Sequence, residues 1–248
     1  ASWNWKAGTS FTNDASATGI GSIDSAGSVS TDAGFSIVTY TGTGSAATVA
    51  HGLGVAPKMI INRTISASKD WITYHASLGA TKFLELNTTD AVATSSDKFN
   101  NTEPTSTVFS IESSSQNNTS GGTCLAYCFA EKQGYSKFGS YTGNGSTDGT
   151  FFYTGFKPAF TIIRSTGSDQ WSMFDAKRNP FNEVDNNIRA NSNAAEADQA
   201  NKEVDYLSNG VKLRTSSGEW NSSGTTYIYM AFAENPFVTS TGVPATAR

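Results

Sequence analysis

The chain says nearly the same thing twice. Tyr40-Thr-Gly-Thr-Gly-Ser45 returns as Tyr141-Thr-Gly-Asn-Gly-Ser146, 101 positions later. Gly54, Pro57 and Arg63 answer to Gly155, Pro158 and Arg164 at the same shift, and Trp71 and Tyr74 answer to Trp171 and Phe174 at 100. Asn118, Phe129, Ala130 and Glu131 answer to Asn221, Phe232, Ala233 and Glu234 at 103. A duplicated unit of roughly 100 residues argues for a scaffold, because duplication keeps cores and turns more readily than a single active site. A catalytic residue would have to sit in one copy and be missing from the other.

Within each copy, short β-branched and aromatic runs alternate with Gly, Ser, Thr and Asn turns, the pattern of an all-β protein. Aromatic residues make up 12% of the 248, too many for a disordered chain of this polarity. The expected fold is two tandem, mutually similar β-sandwich-like units with long polar loops. The first repeat spans about 35–134 and the second 135–237. Residues 1–34 read as an N-terminal arm or connector from a longer chain, loosely structured, and 238–248 as a polar tail. Only Asn191 to Glu203 has helical composition, and its apolar face is only alanine. A net charge of −4 leaves no basic footprint for nucleic acid or anionic lipid, and no apolar run reaches the ~18 residues that would span a membrane.

Little catalytic chemistry is written in the chain. His51 and His75 are its two histidines, in no metal-ligand spacing. Cys124 and Cys128 lie on one expected strand, where positions i and i+4 share a face but stand about 13 Å apart, too far for a disulfide. Two unpaired thiols fit folding in a reducing cytosol, and the lack of a His cluster beside them argues against a metal pair. The two Tyr-Thr-Gly-x-Gly-Ser runs follow strands and precede strands, so their glycines read as tight-hairpin residues and not as a phosphate cradle. Glu131 and Glu234 recur inside Phe-Ala-Glu at a strand end, a structural placing, bonded to a turn or to Arg63 and Arg164. No cofactor is expected. Trp71 and Trp171, matched on the fourth strand of each copy, read as core.

Trp220 differs. It sits between Glu219 and Asn221 in a polar hairpin loop, Ser217-Gly-Glu-Trp-Asn-Ser-Ser-Gly224. An exposed Trp flanked by an amide and a carboxylate can stack on a sugar ring while its neighbours read hydroxyls. The same residue can equally pack onto a neighbouring subunit. Trp220, Asn221 and Glu219 are therefore the candidate glycan contact, with both readings open.

Several runs resemble a family. Gly34-Phe-Ser-Ile-Val-Thr-Tyr-Thr-Gly-Thr-Gly-Ser45, His51-Gly-Leu-Gly-Val-Ala-Pro-Lys-Met-Ile60 and Tyr153-Thr-Gly-Phe-Lys-Pro158 look like a duplicated C-terminal β domain of tailed-bacteriophage tail-fibre and other virion proteins. Tyr229-Met-Ala-Phe-Ala-Glu-Asn-Pro-Phe237 and the terminal residues fit the same likeness. The resemblance implies a virion part, assembled in the host cytoplasm and acting outside the cell, with no enzyme activity. It implies a homo-oligomer, a trimer by analogy with fibres, with other virion proteins and host surface polysaccharide as partners. A capsid decoration protein with no receptor role is the alternative it leaves open. It carries over no binding residues.

Overall fold

The computed structural model describes residues 4–198 and 203–235. The tail 238–248 and Trp3 of the expected arm lie outside the described residues. The chain is all-β and folds as two sandwich-like units. The N-terminal unit comprises residues 3–86 and 92–131, and the C-terminal unit residues 87–91 and those from 132 onward.

In chain order, the N-terminal unit contains β1 (Thr9–Asn13), β2 (Ser25–Ser30), β3 (Phe35–Thr41), β4 (Ala47–Ala50), β5 (Met59–Thr64) and β6 (Ile72–His75). It continues with β7 (Lys82–Glu85), β8 (Ala93–Thr94), β9 (Val108–Ile111) and β10 (Thr123–Phe129). The C-terminal unit contains β11 (Ser136–Thr142), β12 (Phe151–Tyr153), β13 (Pro158–Ser165), β14 (Ser172–Asp175) and β15 (Asn186–Arg189). It ends with β16 (Ala197–Asp198), β17 (Val204–Leu207), β18 (Gly210–Leu213) and β19 (Thr226–Ala233).

The large sheet of the first unit runs β1-β2-β3-β10-β5-β6-β7-β8, and that of the second runs β11-β19-β13-β14-β15-β16. From β3 and from β11 onward the two orders are the same, strand for strand. Each large sheet faces a small one, β4-β9 in the first unit and β12-β18-β17 in the second. Alternation builds the core. Val38 and Tyr40 of β3 meet Val49 of β4 and Phe109 and Ile111 of β9, with Ile60, Ile72 and Tyr74 from the neighbouring strands. In the second unit Tyr141, Ile163 and Phe174 meet Phe152, Val204, Tyr206 and Val211.

Two differences from the sequence expectation stand out. Residues 9–30 are no loose arm: β1 and β2 form a hairpin that extends the sheet beside β3, with Ser25 opposite Tyr40 and Ser30 opposite Phe35. Backbone pairing needs no large side chains, so a Ser/Gly/Ala run joins a sheet once β3 offers an edge. The expected helix near 191–203 is also absent from its described part, where Asn191 to Glu196 are irregular and Ala197–Asp198 form β16. Residues 199–202 of that stretch lie outside the described residues. The helices among the described residues are single turns: α1 (Ala15–Thr18), α2 (Ser96–Phe99) and α3 (Gly218–Asn221).

Trp71 and Trp171 differ in depth. Trp171 is buried and Trp71 half-buried, yet each carries an arginine over its ring. Arg63 lies 5.3 Å from the Trp71 centroid and Arg164 5.8 Å from that of Trp171. The matched Arg and Trp are thus one contact, made twice.

Candidate functional site

The repeated Tyr-Thr-Gly-x-Gly-Ser segment is a turn held from within. Tyr40 Oη donates to the Asn117 carbonyl at 2.6 Å, and Tyr141 Oη donates to the Trp220 carbonyl at 2.7 Å. Burial pushes both phenols well above their ordinary pKa, so each remains a donor. One residue on, Asn118 accepts the Thr43 amide at 2.7 Å and donates to the carbonyls of Ser45 and Glu112. Asn221 accepts the Asn144 amide at 2.9 Å and donates to the carbonyls of Ser146 and Thr215. Gly44 and Gly145 stand at φ 71° and 69°, where a side chain would be strained, and give their amides to the Asn118 and Asn221 carbonyls. The amides of both loops are therefore turned inward, and the matched pair Asn118/Asn221 does the holding.

This overturns the glycan contact expected at Trp220. Its indole is fully buried, edge-on to Phe174 at 5.0 Å between centroids, in the core of the C-terminal unit. Asn221 is buried in the clip just described. Glu219 accepts from Ser172 Oγ at 3.1 Å and pairs with Arg189 at 3.1 Å. The physical reason is α3. Ser217 caps this single turn by accepting the Glu219 amide, and the turn swings both Trp220 and Asn221 inward. The three residues are adjacent, but they form a plug and no open contact.

The other residues singled out are also structural. Cys124 and Cys128 lie buried on β10, and burial raises both thiols, that of Cys128 to about 12. We expect neither to react with Ellman's reagent at pH 8 in the folded chain, and both to react at once in denaturant; rapid native labelling would remove them from the core. His51 is buried, with its Nε2 at 3.2 Å from the Thr105 carbonyl and its Nδ1 accepting the Leu53 amide. Burial lowers its pKa from the ordinary 6.5. The unfolded chain therefore binds a proton that the folded chain refuses, so His51 makes stability fall as pH drops below 6.5. That slope should flatten in His51→Asn, measured by urea unfolding at pH 7 and pH 5. Glu234 pairs with Lys157 at 2.9 Å and not with Arg164, whose guanidinium instead donates to the carbonyls of Asp90 and Gly167.

A shallow groove of about 440 Å³ opens to solvent in the N-terminal unit. Thr12, Asn13, Asp14, Asp24, Ser25, Thr39, Thr41 and Thr123 supply its polar lining. It lies where β1, β2, β3 and β10 run side by side; Thr41 and Thr123 face each other across the β3–β10 pair. Asp14 caps α1, and its hydrogen bonds from Ser16 and the Ala17 amide hold its carboxyl below the ordinary range. Asp24 accepts the Ala15 amide at 2.9 Å. Asn13 is buried and bonded to Ile20 and Thr18, and Ser25 and Thr39 donate to the Ala50 and Ala26 carbonyls. The groove therefore offers the exposed Thr12, Thr41 and Thr123 hydroxyls and two carboxylates, with no nucleophile-and-base pair among its lining. No sequence signal marked it, because half of it belongs to the hairpin that the sequence hid. Among the described residues there is no group of three or more His, Cys, Asp or Glu placed to hold a metal, and no helix is long and apolar enough to cross a membrane.

A family model described as a domain of unknown function matches residues 1–236. Comparison with curated proteins and with solved structures gives no match.

Proposed function

The chain belongs to the DUF7483 family, and from that premise, with no activity attached to it, we propose that it is a non-catalytic bacteriophage virion module, part of a tail fibre or spike that touches host-surface glycan. The observation that carries the reading is the groove of the N-terminal unit. Its exposed Thr hydroxyls and two Asp carboxylates suit a ligand made of hydroxyls, and its shallow form suits a polymer passing across it. The internal duplication and the resemblance to virion β domains support the scaffold half of the proposal. Weak sugar contacts become useful when several copies engage one surface, since linked sites raise avidity by ~10²–10⁴. A homo-oligomer, a trimer by the fibre analogy, is part of the same proposal.

The test is retention of the chain on immobilised bacterial surface polysaccharide. Thr41 and Thr123 are exposed, so Thr41→Val with Thr123→Val removes two hydroxyls from the groove without opening a core. At about 1 kcal/mol per hydrogen bond, binding should weaken about tenfold or more. Unchanged retention would put the contact elsewhere.

One observation favours the purely structural alternative, a capsid decoration or filament part. The loop amides that might have read a ligand are spent on the Asn118 and Asn221 clips. Copy number separates the two: a few oligomers at the tail fit a fibre, and hundreds on the head fit decoration.

A further inference from the structure

The outward face of the small sheet in the C-terminal unit carries chemistry that the scaffold does not use. On β12, Phe152 points into the core, so Phe151 and Tyr153 on either side of it point out, 42% and 61% exposed. Tyr153 lies opposite Gly210 of β18, which lies opposite Leu207 of β17. Phe151 lies opposite Lys212, which lies opposite Asp205. Residues paired across strands share a face, so one surface holds two rings, a glycine, a leucine and charged groups.

Gly210 lets the Phe151 ring lie down across the sheet. A Cβ there would stand 2.6 Å from the Phe151 ring and 2.4 Å from the Phe152 carbonyl oxygen. The charged groups are fixed beside the rings. Lys212 Nζ pairs with Asp148 at 2.7 Å, and Arg214 Nε pairs with Asp205 at 2.6 Å.

The first copy shows that the fold does not need these rings. Its equivalent strand, β4, follows the same Tyr-Thr-Gly-x-Gly-Ser turn and pairs with β9 as β12 pairs with β18. It carries Thr48 between two core residues, and the chain's own residues lie against it: the Ser22 amide donates to the Thr48 carbonyl and Ile23 bridges Val49. Where the first copy has a small, covered strand, the second has two exposed aromatics.

We propose that this face, Tyr153 and Phe151 with Lys212 and Arg214, is a carbohydrate-binding platform for the pyranose ring of a surface polysaccharide. The inference rests on the glycan-contact reading above and assigns it a second contact, in the other unit. The apolar C–H face of a pyranose stacks on an aromatic ring, while its hydroxyls reach both signs of charge on the Lys212–Asp148 and Arg214–Asp205 pairs. Area argues against a protein partner. Two rings expose far less than the ~800 Å² per partner of a stable protein interface. An aromatic ring laid down over Gly210 also fits a ring-sized ligand better than interlocking side chains would.

The experiment compares the full chain with Tyr153→Ala and Phe151→Ala, both exposed positions, on an array of bacterial surface oligosaccharides. Thermal melts establish that the variants stay folded. The expected result is that the full chain retains at least one pyranose oligosaccharide and that Tyr153→Ala weakens it about tenfold. Thr41→Val with Thr123→Val distinguishes the two ideas. If the full chain binds and only the groove variant loses binding, the platform is overturned while the glycan reading stands. If the full chain binds no oligosaccharide at all, both fall. If Tyr153→Ala instead abolishes a concentration-dependent dimer seen by light scattering, the face is a protein contact and the platform is overturned.

Discussion

Trp220→Ala is expected to cost the C-terminal unit about 3–5 kcal/mol, the range for deleting a large aromatic from a packed core. The indole is among the largest fully buried side chains, and its ring meets Phe174 edge-on at 5.0 Å. The loss compounds, because the carbonyl of Trp220 accepts the Tyr141 hydroxyl and its neighbour Asn221 holds the Asn144 turn. With ordinary domain stabilities of ~5–15 kcal/mol, such a loss leaves the unit marginal near body temperature. Urea unfolding followed by circular dichroism reads it directly. Trp71→Ala, at a half-buried ring, should cost visibly less. A Trp220→Ala chain as stable as the parent would contradict the core placement.

The second large effect concerns the boundary of the C-terminal unit. Residues 132–248, expressed alone, should be mostly unfolded, although they contain the whole second repeat as the sequence draws it. Asn87–Ala91 belongs to the same compact unit and supplies it with three carbonyl acceptors. The Asp90 carbonyl takes Arg164 Nη2 at 2.6 Å, the Thr89 carbonyl takes the Asp169 amide at 2.9 Å, and the Thr88 carbonyl takes Asn191 Nδ2 at 3.2 Å. Arg164 is fully buried, and burial already lowers its pKa, so its charged form is held at a cost. Arg164 is the buried donor of the three, and losing the Asp90 carbonyl leaves its charge with the Gly167 carbonyl alone, at a cost of about 3 kcal/mol or more; the half-exposed Asp169 amide and Asn191, which keeps Gln170, add less. A buried charge left uncompensated can be worse than an apolar side chain of similar volume. Arg164→Met in the fragment should therefore recover part of the loss, while in the full chain it should destabilise. A fragment that folds cooperatively without 87–91 would show the segment to be dispensable.

The repeat, the all-β class and the order of the main strands were legible because they are written in period-two alternation and in matched turn residues. Phe35-Ser-Ile-Val-Thr-Tyr40 and its counterpart at 136–141 could be read directly, and both are strands. β1 and β2 were not legible. Ser25 to Ser30 holds one branched apolar residue, Val29, and such a strand is specified by the edge it joins and not by its own side chains. Trp220 was misread for a related reason. Its neighbours are polar because they serve the cap and the clip, and only the fold turns the one apolar residue inward. The sequence did hold a clue. Asn118 and Asn221 match between copies, and a matched amide in two loops of different composition points to a shared structural bond. The platform left no periodic trace, since Phe151-Phe-Tyr153 reads simply as a hydrophobic strand and its polar partners lie some sixty residues away.

Adjacent copies of one fold on one chain invite misassembly, because a strand of either copy can dock in the other while the chain is still collapsing. At one place in this protein the copies carry opposite solutions. Opposite Ile72, the first residue of β6, β7 places Glu85, which accepts from Gln116 at 2.9 Å. Opposite Ser172, the first residue of β14, β15 places Arg189, which donates to Glu219 at 3.1 Å. Gln116 and Glu219 each precede the residue whose carbonyl takes the core tyrosine, so the two pairs occupy the same position of the fold. An exchange of β7 and β15 would bring Glu85 against Glu219, two carboxylates in a partly enclosed site, and leave Arg189 against an amide. A single charge difference between two copies of one fold therefore sets a local cost against trading that strand, because the exchange would put like charges together in a partly enclosed place.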